Sequence, residues 1–190
     1  TPGRTQLHQF AQCEEKYSKF VYSSKYGFSI ARSQKTLEEC APDSVLSFAV
    51  FGHIFPKGQI GEWQIDGNKI WIHWSPIEGI DVKSEIEIVE EGHIRRHKIT
   101  SRYQTIAYDA GFAIPADDDA GFEKTIGEKA AEVSYGEGFC RVECKSGDGS
   151  GMVLHADPNT NMMVSKTVIP LIAYSIEPGV TKIETGVSFR

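Results

Sequence analysis

Glu62 and Gln64 alternate along one apolar stretch, and Trp71 and His73 alternate along the next. Successive side chains of a strand point to opposite faces, so the two pairs share one side of a hairpin. An indole face bordered by an imidazole, a carboxylate and an amide can stack on a sugar ring and hydrogen-bond its hydroxyls. Packing against a neighbouring domain fits Trp71 equally well, because tryptophans left on a sheet surface mark interfaces.

Other reactive residue types are present without the spacing their chemistry needs. The histidines are His8, His53, His73, His93, His97 and His155, and zinc requires three or four converging ligands. His93 and His97 share parity on a strand but lie too far apart for one ion, and His53 and His73 meet only if folding joins them. Asp117, Asp118 and Asp119 form an acidic turn between Pro115 and Gly121. They lack the alternate-residue spacing and distal glutamate of an EF-hand. No G-x-S-x-G elbow occurs, and Ser150, flanked by glycines, reads as a turn residue. Glu62, Glu85 and Glu87 could pair as glycosidase carboxylates. Neighbouring Arg and Lys lower such groups, whereas a general acid must be raised. The sequence therefore assigns no catalytic set, metal or cofactor.

The elements that must carry Trp71 and its neighbours read as strand after strand. Segments 60–65 and 69–75 flank Asp66-Gly67-Asn68, whose residues tolerate the positive φ of a tight hairpin turn. Parity puts Gly61, Trp63, Ile65, Ile70, Ile72 and Trp74 on a core face. A second hairpin is expected from 82–88 into 94–101, turning at Glu91-Gly92. That turn would set Glu87 opposite Arg96 and Glu85 opposite Lys98 on a solvated face. Further strands are expected at 18–22, 26–32, 45–51, 104–110, 131–135, 138–145, 151–156, 167–176 and 180–189, about a dozen in all. Only 6–17 and 122–131 read as helical. With so little helix a parallel α/β sheet is excluded, and the fold class is all-β: one large antiparallel sandwich.

The 190 residues suffice for a single such domain. A net charge of −6 argues against nucleic acid. No apolar run approaches the roughly 20 residues of a membrane helix. Thr1-Pro2-Gly3-Arg4 reads as a cut or engineered end, so the 190 residues are expected to be a piece of a longer protein. Cys140 and Cys144 lie about 13 Å apart along one strand face, too far to bridge. Reduced, packed cysteines are expected, with a Cys13 to Cys40 disulfide as the other reading.

Residues 19–29, Lys-Phe-Val-Tyr-Ser-Ser-Lys-Tyr-Gly-Phe-Ser, resemble the entry strands of the C-terminal β-sandwich in heparinase II/III-like proteins. Asp66-Gly67-Asn68 with residues 70–74 resembles an uncharacterised branch of them. So does Asp157-Pro158-Asn159-Thr160-Asn161 running on to Thr167-Val168-Ile169-Pro170. The likeness spans most of 17–175. It implies a two-domain parent in which an N-terminal α/α toroid bears the catalytic residues and the sandwich, residues 1–190 with 1–16 as connecting segment, is the C-terminal part that helps wall a cleft for uronic-acid-containing polysaccharides. Some relatives hold zinc in the sandwich, but no His/Asp pattern here matches it. From the residues themselves, Asn159 and Asn161 suit turn chemistry, their amides bonding local backbone. The expected function is an accessory sandwich of a polysaccharide lyase or glycosidase. The alternative is a free-standing carbohydrate-binding or lectin-like module using Trp71, His73, Glu62 and Gln64.

Overall fold

The computed structural model describes residues 6–10, 20–23, 28–30, 46–50, 53–55, 59–111, 114–115, 122–135, 138–156 and 167–189. In chain order the strands begin with β1 (Gln6–Phe10), β2 (Phe20–Ser23) and β3 (Phe28–Ile30), which form a 3-stranded sheet. Next come β4 (Ser47–Val50) and β5 (His53–Phe55). A meander follows, of β6 (Gln59–Asp66), β7 (Lys69–Ser75), β8 (Ile80–Val89) and β9 (Gly92–Ser101). Then come β10 (Thr105–Ala110), β11 (Ile114–Pro115), β12 (Phe122–Ile126), β13 (Ala130–Tyr135) and β14 (Gly138–Ser146). The last three are β15 (Gly149–Ala156), β16 (Thr167–Ile176) and β17 (Gly179–Phe189).

An 8-stranded sheet in the order β12-β13-β14-β17-β9-β8-β7-β6 faces a 6-stranded one in the order β11-β16-β10-β4-β5, with β15 paired to β16. The pairings of β6 to β9, and of β17 with its neighbours, are antiparallel. The architecture is therefore the all-β antiparallel sandwich that the alternation predicts.

Ile70, Ile72 and Trp74 of β7, Val82 and Ile86 of β8 and Ile99 of β9 bury one face of the long sheet. They join Phe48, Ile172, Tyr174 and Ile176 of the opposite sheet in a single core. Phe48 and Trp74 mark the seam, their ring centroids 5.8 Å apart and tilted by 59°. Such tilted pairs contribute about 1 kcal/mol beyond the area they bury. Cys140 and Cys144 sit in the same core as reduced thiols, as their spacing predicts.

Five expectations are corrected, the last of them at Ile65. Segment 6–17 begins with β1 rather than a helix, its remainder lying outside the described residues. Segment 122–131 holds β12 and the start of β13, paired from Phe122↔Tyr135 to Ile126↔Ala131. As a sheet edge, β12 leaves residues 123–126 exposed, so no apolar alternation signals a strand there. The β8–β9 turn is at Glu90-Glu91, because Val89 pairs with Gly92. Each pairing thus moves by two residues: Glu85 faces Arg96 and Lys83 faces Lys98. Gly92 attracts a turn assignment, yet its missing side chain serves close packing. A Cβ there would stand 1.9 Å from the Val187 carbonyl oxygen of β17. Ser150 lies within β15 rather than in a turn.

The β6–β7 hairpin closes on Asp66↔Lys69, and its register shifts between Ile60 and Glu62. Ile65, beside the turn, is 45% exposed instead of belonging to the core. Cys13, Cys40, the Asp117 to Asp119 triplet, Asn159 and Asn161 lie outside the described residues, as do the side chains of His8, His53 and Trp63.

Candidate functional site: a groove on the outer face of the long sheet

Residues of opposite parity to the core project from β6, β7, β8, β9 and β17 and line an open groove of about 820 Å³. Glu62, Gln64, Trp71 and His73 all line it. The β6–β7 register sets them in two cross-strand pairs, Glu62↔His73 and Gln64↔Trp71. Directly opposite residues stand about 5 Å apart, so the four form one contiguous patch.

The indole is held at its edge and lines the groove. Trp71 Nε1 donates to Glu85 Oε2 at 3.1 Å, and the ring is half-buried outside the core cluster. His73 Nε2 lies 2.6 Å from Asp81 Oδ1.

Glu85 also receives Arg96 Nη1 at 2.8 Å and Lys69 Nζ at 3.4 Å. Arg96 reaches Glu87 Oε2 from Nη1 and Glu184 Oε2 from Nε, both at 2.9 Å. Partial burial would raise the Glu85 carboxyl, but hydrogen bonds from Trp71, Arg96 and Lys69 outweigh it and hold the group below its ordinary value. It is therefore a fixed carboxylate that orients Trp71, the opposite of a glycosidase acid.

Beneath the groove, on the inward face, lies a polar chain that motif reading missed. Trp74 Nε1 donates to Ser84 Oγ at 3.1 Å, and Ser84 Oγ is 2.7 Å from His97 Nδ1. Indole can only donate, so Ser84 Oγ accepts from Trp74, while the opposite edge of the His97 ring presents Nε2. That nitrogen is 3.3 Å from Asp109 Oδ2. Asp109 in turn accepts from Arg95 Nη1, which also donates to the Ala110 carbonyl at 2.6 Å. Serine, histidine and aspartate thus follow one another as in a hydrolase, but Ser84 is 3% exposed and its hydroxyl is engaged by Trp74 and His97. The chain is a tether from β9 to β10. Parity could have revealed it, since Arg95 alternates with His93, His97 and Ile99 on the core side.

Tyr174 of β16 reinforces the groove from behind. Its hydroxyl is 2.7 Å from Thr185 Oγ1 and 3.2 Å from the Glu184 carbonyl. Burial raises its pKa, and the neighbouring Asp109 charge adds to the effect, so it remains a phenol that can donate. Among the described residues no three His, Cys, Asp or Glu side chains converge as a metal site.

The same antiparallel sandwich fold occurs in solved heparinase structures. Heparinase III superposes with a TM-score of 0.57 at 5% identity, over 90% of this chain and 29% of that one. The heparan sulfate lyase HepC from Pedobacter heparinus gives 0.55 at 7% identity, over 95% and 37%. A 4-alpha-glucanotransferase from Thermococcus litoralis gives 0.54 at 10% identity, over 94% and 40%. At such identities the likeness is one of fold, and this chain spans about a third of the length of those proteins. No curated protein matches the sequence. The chain belongs to the DUF2264 C-terminal domain family, whose model matches residues 3–187.

Proposed function

We propose that this chain is the accessory sandwich of a larger carbohydrate-active protein, its outer groove serving as a glycan-facing wall. The parent is a polysaccharide lyase or glycosidase acting on uronic-acid-containing glycans, and catalysis resides on an N-terminal α/α toroid. The observation that carries this assignment is Trp71, fixed at its edge by Glu85, lining the groove and flanked by Gln64, Glu62 and His73. An oriented ring beside hydrogen-bonding groups holds a sugar without altering its bonds. The tethered state of Glu85 supports a binding role over acid catalysis.

Calorimetric titration of the 190-residue chain with oligosaccharides tests it. Trp71→Ala should weaken binding about tenfold or more, consistent with loss of a stacking anchor, while leaving the circular dichroism spectrum unchanged. Unaltered binding would remove Trp71 from the site, and turnover of glycans by the isolated chain would contradict an accessory role. The same groove also supports a free-standing carbohydrate-binding module. The open reading frame upstream of Thr1 separates the two: paired helices over several hundred codons favour the accessory domain.

A further inference from the structure

Two rows of side chains cross the groove at right angles to the strands, and they differ in charge balance. In one, Glu85, Arg96 and Glu184 stand opposite one another on β8, β9 and β17, alternating in sign and joined by hydrogen bonds. In the adjacent row the same three strands place Lys83 opposite Lys98 and Lys98 opposite Lys182. All three are exposed, and none meets a carboxylate among the described residues. Like charges directly opposite across strands are destabilising. The register therefore places three lysines side by side on adjacent strands, their Cα atoms spanning roughly 10 Å, two strand spacings, along the groove that Trp71 also lines.

We propose that Lys83, Lys98 and Lys182 form an anion-binding strip that takes the carboxylates of an acidic saccharide chain lying across the strands. The proposal rests on the groove being glycan-facing and deepens it by naming the residues that distinguish charged from neutral sugars. Charge complementarity calls for an anionic occupant. The rest of the groove selects a saccharide over an acidic protein segment. Glu62, Glu85 and Glu184 line it too; they repel a uniformly acidic peptide but accept hydrogen bonds from sugar hydroxyls. Trp71 lies one row from the strip, opposite Glu85, where a ring of the same chain can stack.

The test titrates the chain with an oligogalacturonide, a neutral cello-oligosaccharide and polyglutamate. The oligogalacturonide should bind more tightly than the neutral sugar and weaken as salt rises. Lys98→Gln should lose about fivefold for the charged ligand, the worth of one ion pair in water, and nothing for the neutral one. Lys98→Glu should raise the Tm of the unliganded domain at low salt by about 2 °C through relief of repulsion. Equal affinity for charged and neutral sugars, with both Lys98 variants silent, overturns the strip and leaves Trp71 standing. Charged-sugar binding that Lys98→Gln weakens but Trp71→Ala does not keeps the strip and removes the stacking site. Polyglutamate binding as tightly as the oligogalacturonide overturns the saccharide assignment. Failure of all three ligands overturns the site altogether.

Discussion

Arg95 of β9 and Asp109 of β10 form an ion pair across the sandwich with both side chains wholly shielded from water. The pair joins the sheet that carries the groove to the sheet behind it. Burying two charges is costly, and their attraction offsets the cost only while both are present and further contacted: Arg95 also donates to the Ala110 carbonyl, and His97 Nε2 lies 3.3 Å from Asp109 Oδ2. Asp109→Ala is expected to destabilise the domain by about 3–5 kcal/mol, since it strands a buried guanidinium. Replacing both partners by apolar residues should cost much less than the sum of the single changes. Urea unfolding of the three variants provides the measurement, and additive losses would show that the two residues act independently.

Acid should undo the fold in two stages. Burial, assisted by the neighbouring Arg95 charge, holds His93 well below the ordinary imidazole value of 6.5. The unfolded chain then takes up that proton first, and stability begins to fall as pH drops below about 6.5. Asp109 supplies the second stage. Burial alone would raise it, but the Arg95 charge and contacts from His97 and Thr185 pull it from 3.8 to about 2. A depressed carboxyl contributes stability above its unfolded value, lost as pH falls through the folded one. Urea midpoints should decline gently from pH 6.5 and steeply between about 4 and 2. His93→Asn should flatten the first limb alone; a profile unchanged by it would place His93 outside the linkage.

Ser84 and Arg96 offer a matched contrast in polar deletion. Ser84→Ala leaves Trp74 Nε1 and His97 Nδ1 facing a methyl group in the core, which should cost about 1–3 kcal/mol. Arg96 makes more contacts, but its side chain is 38% exposed, so Arg96→Ala should cost no more than about 1 kcal/mol. Thermal unfolding of both variants checks the order; a larger loss for Arg96 would show that the number of contacts outweighs burial in this sheet.

Gly92→Ala should be among the most damaging single-methyl changes. The added carbon would occupy the space of the Val187 carbonyl oxygen, and β9 could accept it only by parting from β17. A loss of about 3 kcal/mol is expected, with amide exchange rising first along the β9–β17 pairing; a near-neutral effect would mean that the two backbones are less closely apposed.

The alternation of Ile70, Ile72 and Trp74 made the long sheet legible, because a strand with one buried face repeats every second residue. The outer partners Trp71 and His73 were legible for the same reason, and the structure sets Gln64 and Glu62 directly opposite them. What escaped the sequence escaped for physical reasons. Edge strand β12 buries so little that nothing in Phe122 to Ile126 alternates visibly. Gly92 advertises a turn while meeting a demand made by β17, which lies far along the chain. Arg95 and Asp109 look like surface residues until pairing shows that each cancels the other's desolvation, a relation no local window contains. The lysine strip was hidden by a one-residue error in one turn, which moves every pairing by two: the expected register set Lys98 against Glu85 and concealed three like charges abreast.

The contact between Arg96 and Glu184 spans 88 residues of sequence, whereas the β6 to β9 meander is built from neighbours. Half of the groove can thus assemble as soon as that meander forms. The other half waits for β17 to return after everything from β10 to β16 has been made, a closure carrying a larger entropic cost. Lys182 and Glu184 are therefore hostages to the whole intervening chain, and damage anywhere in the second sheet can dismantle the groove without touching one residue that lines it.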